Sequence, residues 1–123
     1  EKLTGTGFAM GDITLQDFLL TWNLLPGFES ECEYLVTLWP SEDTKFLKKT
    51  LEVSNILRGK GKNVSTWLEK NTKLDKQLKY ADKKGFKYTV IIGENEIKKN
   101  TIMIKDMVTK NQSEIELNDE FSI

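Results

Sequence analysis

The chain opens with apolar side chains at helical spacing. From Leu15 to Leu25 they recur every three or four residues, which places them on one face of a helix. Asp12 is expected to cap this helix, and Pro26 with Gly27 to end it. The sequence therefore predicts an N-terminal amphipathic helix, Asp12–Leu25, that buries its apolar face on the rest of the chain or on a partner.

Beyond residue 33, short apolar runs alternate with longer amphipathic stretches. The runs predict four strands, Tyr34–Trp39, Asn63–Leu68, Tyr88–Ile92 and Thr101–Met107. The amphipathic stretches predict two helices, one that starts after Ser41-Glu42-Asp43 and is ended by Gly59 and Gly61, and one over Leu74–Lys84 that stops at Gly85.

The order of these elements predicts an α/β fold. Strand, helix, strand, helix, strand is typical of parallel strands joined by right-handed crossovers. The turn Gly93–Glu96 is too short for a crossover, so the strand Thr101–Met107 is expected to pair antiparallel, at an edge. Ser113–Ile123 is expected to form a short strand or to start a last helix. The predicted fold class is a mixed, mainly parallel sheet of four to five strands flanked by helices, with the N-terminal helix added.

Composition excludes several kinds of chemistry. The chain of 123 residues has no histidine, which removes the usual general base, the histidine-activated nucleophiles and most zinc sites. Its one cysteine, Cys32, is expected to be a small apolar filler in a protein of the reducing cytosol. No apolar run reaches the ~20 residues that span a bilayer, so no membrane partner is expected.

Charge is distributed unevenly along the chain. Residues 1–43 carry a net charge of −7, residues 44–110 a net charge of +10 and residues 111–123 a net charge of −4. The positive middle is either a face that binds a polyanion or a solvated lysine-rich surface. Sixteen of its seventeen basic residues are lysines, so bidentate guanidinium contacts are scarce.

Two carboxylates follow the third predicted strand at its carboxyl end, where open α/β sheets bind ligands. Glu94 and Glu96 could act in acid/base chemistry, bind a metal or accept hydrogen bonds from nucleobases. No nucleophile, histidine or third acid accompanies them, which disfavours catalysis and a metal site. Recognition of a base edge fits best, since a carboxylate accepts from the N–H groups of guanine or cytosine, and a solvated polar turn is the alternative.

Three tryptophans could stack on unpaired bases. Trp22 and Trp39 lie on apolar faces, so core packing is the expected role of both. Trp67, in the sequence VSTWLEK, fits either role.

Several motifs in register carry a family resemblance. The pair Leu57-Arg58, Gly61 and Val64 fit the pattern LR-x-x-G-x-x-V, and the turn Gly93–Glu96 fits G-[DE]-x-E. Together with the helix KQLKYADKKG between them, these motifs resemble the C-terminal anticodon-binding domain of class II aminoacyl-tRNA synthetases of the histidyl, threonyl, prolyl and glycyl group. The helix favours the histidyl type.

The resemblance implies that six polar side chains read RNA. They are Glu96 and Lys105, at positions that contact the anticodon in a threonyl relative, Glu94 of the same turn, and Asn71, Lys73 and Lys79 on the RNA-binding face. Because Lys105 replaces an arginine of that relative, a point-charge contact is expected. The implied partner is the anticodon loop of histidine tRNA, and the resemblance implies no catalytic residue, metal or cofactor in this chain.

A second resemblance lies near the N-terminus. The stretch GTGFAMGD, Gly5–Asp12, is similar to the last strand and glycine turn of the histidyl catalytic core. Residues 1–32 are therefore interpreted as a remnant of that core, and residues 33–123 as the anticodon-binding domain. Thr14 stands where the better-known form of this signature has an ATP-contacting arginine, and the first two class II signatures are absent.

The two resemblances together imply a longer parent synthetase. That parent is expected to be a cytoplasmic homodimer that uses ATP and Mg²⁺. This chain alone is expected to bind RNA without catalysis, as a monomer or as a weak dimer through the Asp12–Leu25 helix. Two alternatives remain, a regulatory or interaction domain that has the fold without RNA binding, and the threonyl, prolyl or glycyl equivalent.

Overall fold

The computed structural model describes residues 2–25 and 30–117. Within these ranges the chain forms four helices and five strands. The helices are α1 Asp12–Thr21, α2 Thr44–Gly59, α3 Leu74–Lys84 and α4 Glu94–Lys99. The strands are β1 Tyr34–Val36, β2 Val64–Thr66, β3 Tyr88–Ile91, β4 Thr101–Asp106 and β5 Gln112–Glu116.

The strands form one mixed sheet in the order β2-β1-β3-β4-β5. Strand β1 pairs parallel with both β2 and β3, through the crossover helices α2 and α3. Strands β3, β4 and β5 pair antiparallel in sequence order. The predicted fold class, a mixed α/β sheet of four to five strands flanked by helices, is confirmed.

Two details of the predicted sheet are wrong. Strand β4 does not lie at an edge, because β5 pairs along it from Thr101↔Glu116 to Lys105↔Gln112. The segment after β3 is a short helix and not a turn, since Glu94–Lys99 is helical. Of the two expectations for Ser113–Ile123, the short strand is present as β5 and no helix starts up to residue 117, and the residues from 118 onward lie outside the described part of the chain.

Helix α3 has the predicted bounds, and its end has a clear physical cause. Gly85 adopts the left-handed conformation, with φ 74°, and its amide and that of Phe86 donate to carbonyls of the last helical turn. A residue without Cβ adopts this conformation at little steric cost. Helix α2 starts where expected, since the Asp43 carboxylate accepts a hydrogen bond from the Lys45 amide at 2.9 Å.

The core lies on both faces of the sheet. On one face, α2 contributes Val53 and Leu57 to a cluster with side chains of β1 to β4. On the other face, α3 contributes Ala81 to a cluster with Leu35 and Met107. The sheet is thus a middle layer between two helices, and α3 covers the face that carries Leu35 and Met107.

One buried polar side chain ties α3 to the chain after β1. Gln77 is fully buried, and its Nε2 donates to the carbonyl oxygens of Leu38 at 2.7 Å and Thr72 at 2.9 Å. Its Oε1 accepts from the Leu38 amide at 2.9 Å. Since Leu38 and Thr72 follow β1 and β2, these bonds fix the first turns of α3 against the carboxyl ends of two parallel strands.

The N-terminal helix is shorter and more exposed than predicted. It ends at Thr21 and not at Leu25, its N-cap is Gly11 and not Asp12, and none of its residues is buried. The predicted stop at Pro26 lies outside the described residues. The apolar side chains of Ile13 and Leu20 lie on the side of the helix opposite the predicted apolar face, and both are exposed.

One further N-terminal prediction is wrong. Trp22 does not pack in a core, since 66% of its surface is exposed. Residues 2–11 form no strand. A strand needs a neighbouring strand to pair with its backbone N–H and C=O groups. Within residues 2–25 and 30–117, no helix is long and apolar enough to cross a membrane.

Candidate nucleic-acid interface

A groove runs between α3 and strands β3 to β5, and it contains two neighbouring depressions. The first, which we call the α4 depression, has a volume of about 510 Å³. Its lining combines apolar side chains with the polar start of α4: Trp39, Leu74, Leu78, Ile91, Gly93, Glu94, Asn95, Glu96, Met103 and Gln112. Apolar side chains combined with a few polar groups are typical of sites that bind small ligands.

Glu96 caps the helix on which it lies. Its Oε2 accepts a hydrogen bond from the Gly93 amide at 2.8 Å, which satisfies one donor at the start of α4. A Cβ at Gly93 would lie 2.8 Å from that oxygen and 3.1 Å from Cζ3 of Trp39, so a larger residue would displace these side chains. One carboxylate oxygen of Glu96 is therefore held by the backbone, and the half-buried side chain lines the depression.

The second depression is lined mainly by lysines, and we call it the lysine depression. It has a volume of about 320 Å³ and is lined by Leu78, Lys79, Asp82, Lys83, Lys105, Met107 and Lys110. Lys110 Nζ lies 3.0 Å from Asp82 Oδ1. Four ammonium groups and one carboxylate give this depression a net charge of +3 at pH 7.

The two depressions lie side by side on the same face of the sheet. Leu78 of α3 lines both. Met103 lines the α4 depression and Lys105 the lysine depression, and these residues are two apart on β4. Alternate residues of a strand share a face and are separated by ~7 Å. The groove therefore changes from apolar and acidic to strongly basic over about two residues.

The β4–β5 loop that carries Lys110 is held by a local side chain. Asp106 Oδ1 accepts hydrogen bonds from the amides of Val108 at 2.8 Å and Thr109 at 2.9 Å. The bond from the Thr109 backbone is the main reason that the pKa of Asp106 lies below its ordinary value, and Lys110 contributes by its charge. Lys110 itself has φ 63°, so the loop is tightly folded where it meets α3.

The six predicted RNA-reading residues are distributed over three places. Glu94 and Glu96 line the α4 depression, and Lys79 and Lys105 line the lysine depression. Lys73 is the exposed N-cap residue of α3, and it lines neither depression. Asn71 also lines neither, and its side-chain amide donates to the Glu42 carboxylate. Glu96 and Lys105, which the resemblance assigns to anticodon contact, thus line different but neighbouring depressions.

Sequence reasoning missed most of the groove lining. Trp39 was assigned to the core, although it is half-buried beside Gly93, and Leu78 and Met103 were not assigned to a site. The sequence could have predicted that Lys79 and Lys83 lie together, because residues four apart on a helix share a face. Among the described residues, no three acidic, cysteine or histidine side chains are grouped to hold a metal ion.

Comparison with known proteins identifies the family. The model of the family described as "Anticodon binding domain" matches residues 34–122. The match covers well over half of the chain, and the chain therefore belongs to this family of anticodon-binding domains.

The chain is similar in sequence to histidine–tRNA ligases. The chain is 41% identical over 113 residues to the histidine–tRNA ligase of Leptospira biflexa serovar Patoc, a match that covers 91% of this chain and 25% of that protein. It is also 41% identical over 104 residues to the histidine–tRNA ligase of Aquifex aeolicus, covering 76% of this chain and 26% of the relative. The chain thus spans about a quarter of the length of the relatives that it matches.

Solved structures agree on the fold. The histidyl-tRNA synthetase of Nostoc sp. PCC 7120 superimposes with a TM-score of 0.71 at 31% identity, over 88% of this chain and 25% of that one. The RNA-binding domain of threonyl-tRNA synthetase from Cryptosporidium parvum Iowa II superimposes with a TM-score of 0.62 over 70% of this chain and 21% of that one. At 22% identity the second comparison shows a shared fold alone.

Proposed function

We propose that this chain is the anticodon-recognition domain of a histidine–tRNA ligase and that it binds the anticodon loop of histidine tRNA. The observation that carries the proposal is the 41% identity to such a ligase over 91% of the chain. In this proposal the longer enzyme attaches histidine to its tRNA with ATP and Mg²⁺, acts in the cytoplasm as a homodimer, and performs the chemistry outside this domain.

The α4 depression supplies the features that base recognition requires. Single-stranded loops are read by bases that leave the stack, contact apolar and aromatic side chains, and form hydrogen bonds through their edges. Trp39 and Met103 offer the apolar contact, and the exposed Glu94 and half-buried Glu96 offer acceptors at the rim. A carboxylate oxygen accepts from the exocyclic amine of cytosine or the N–H groups of guanine.

The test separates the capping role of Glu96 from its proposed role in recognition. Glu96→Gln keeps an oxygen for the Gly93 amide but replaces the second oxygen with an NH₂ donor. Glu96→Ala removes both. Each variant is measured against stem-loops with the histidine anticodon, the threonine anticodon and a scrambled loop, and its thermal unfolding is recorded.

We expect the unchanged chain to prefer the histidine loop. Both variants should lose about 1–3 kcal/mol of binding free energy on that loop and little on the scrambled one. Only Glu96→Ala should also lower the unfolding temperature, since it alone loses the cap. Preference retained in Glu96→Gln would contradict base reading by this carboxylate. Absence of binding at low salt would favour the regulatory domain without RNA binding.

A further inference from the structure

We propose that the lysine depression is a phosphodiester-binding site, which holds the backbone of the same RNA strand whose base enters the α4 depression. In this arrangement Lys105 neutralises a phosphate and does not read a base. The inference rests on the proposed function, and it adds a site with its own ligand chemistry to the domain.

The composition of the lysine depression suits a phosphate and not a base. Lys79, Lys83, Lys105 and Lys110 approach it from α3, from β4 and from the β4–β5 loop. An ammonium group is a compact charge with three donors and no acceptor, so it binds phosphate oxygens from many directions but discriminates poorly between bases. The floor is formed by the apolar Leu78 and Met107, and neither side chain can read the edge of a base.

The spacing of the two depressions fits one nucleotide step. They share Leu78, and Met103 and Lys105 point into them from positions two apart on one face of β4. The separation of ~7 Å along a strand is on the scale that separates a base from a phosphate of the same nucleotide. A base in the α4 depression therefore brings its backbone to the lysines without a bend in the RNA.

Asp82 moderates the positive charge of this site. It is the one carboxylate in the lining, and its Oδ1 pairs with Lys110 Nζ at 3.0 Å. Both side chains are more than half exposed, so the pair is weak and a phosphate can replace the carboxylate as the partner of Lys110. Removal of this carboxylate should strengthen phosphate binding, an effect that no purely structural role of Asp82 predicts.

The experiment measures how stem-loop affinity depends on salt. Each phosphate contact to a single strand contributes about 0.7 to the slope of log K against log salt concentration. The variants are Lys83→Gln, Lys105→Gln, Lys110→Gln and Asp82→Asn. Lys48→Gln is the matched control, because Lys48 is an exposed lysine of α2, the helix on the opposite face of the sheet.

We expect each of the three lysine variants to lower the slope by up to about 0.7, the full contribution of one phosphate, and to weaken all loops alike, so that the preference for the histidine loop is unchanged. Asp82→Asn should tighten binding of every loop by up to about fivefold. Lys48→Gln should match the unchanged chain in both slope and affinity.

Other results separate the two proposals. Unchanged slopes in all three lysine variants, with loop preference intact, would overturn the phosphate site and leave the proposed function in place. Loss of loop preference in Lys105→Gln at an unchanged slope would return Lys105 to base reading. Lower slopes in a chain that shows no loop preference would support the phosphate site and overturn the proposed function. No binding of any loop would overturn both.

Discussion

Gln77 satisfies backbone groups that neither the sheet nor a helix satisfies. Its amide meets the Leu38 amide, the Leu38 carbonyl and the Thr72 carbonyl in the buried layer under α3. Leu38 lies two residues after β1, where the strand pairing has stopped, and Thr72 lies in the loop between β2 and α3. A buried amide with all its partners present stabilises one arrangement of the chain, because any displacement leaves a polar group without a partner.

Replacement of Gln77 should therefore be costly. Gln77→Leu keeps a side chain of similar size but leaves buried donors and acceptors unpaired, each at about 1–3 kcal/mol. We expect the free energy of unfolding to fall by at least that amount, measured by urea denaturation. Lys76→Leu, at the neighbouring exposed position of the same helix, is the control and should change stability little. Equal stability of the two variants would contradict this role of Gln77.

At the scale of elements, we expect acid pH to destabilise the β4–β5 loop. Asp106 accepts two backbone hydrogen bonds there, and its pKa lies below the ordinary value of 3.8 because those bonds favour the charged form. A depressed folded-state pKa stabilises the fold above the unfolded pKa, and this contribution is lost as the pH falls through the folded value.

The measurement is thermal unfolding of the unchanged chain, Asp106→Ala and Asp106→Asn between pH 7 and pH 2. The gap between the unchanged chain and Asp106→Ala should be constant above about pH 5 and should narrow below pH 4. Asn keeps an acceptor that does not titrate, so Asp106→Asn should lack this acid-dependent loss. A gap that stays constant down to pH 2 would contradict the assignment.

An element can be predicted from the sequence when its apolar periodicity extends over enough residues and its ends are marked. Helix α3 was predicted to the residue because eleven residues carry its periodicity and Gly85 ends it. Helix α4 was mistaken for a turn because six residues show too little periodicity. The hydrogen bond from the Gly93 amide to the Glu96 carboxylate also stabilises the start of α4. The motif G-[DE]-x-E is compatible with a turn as well as with such a helix start.

The site was less predictable than the fold. The acids at 94 and 96 were found because they follow a strand directly, and strand ends mark ligand sites in such sheets. The grouping of Lys79, Lys105 and Lys110 depends on how α3 packs across β4, a tertiary contact that no local pattern encodes. The resemblance assigned both Glu96 and Lys105 to anticodon contact, and the structure places them in neighbouring depressions of one groove.

At the scale of the whole molecule, α1 exposes a large apolar surface. Phe18 is 54% exposed, and its ring lies 6.4 Å from that of Trp22. Exposed apolar patches of this kind favour association in water. We expect weak self-association of the chain that rises with concentration in sedimentation experiments and that is lost in the variant Phe18→Ser/Trp22→Ser.

The control for this association is a change at another exposed apolar residue. Leu51 on α2 is 41% exposed, and Leu51→Ser should leave the association unchanged. A chain that stays monomeric at every concentration would show that α1 does not mediate contacts between copies.

The single arginine of the chain has a structural position. Arg58 Nη2 donates to the Val64 carbonyl at 3.0 Å and to Thr66 Oγ1 at 2.9 Å, at the β2 edge of the sheet. The groove lies at the other side, along β3 to β5, so every cation in the lysine depression is a primary amine. Acetylation removes the charge of a lysine, whereas methylation of an arginine keeps its charge. In the proposed phosphate site, acetylation of these lysines would therefore weaken the binding of an anionic strand.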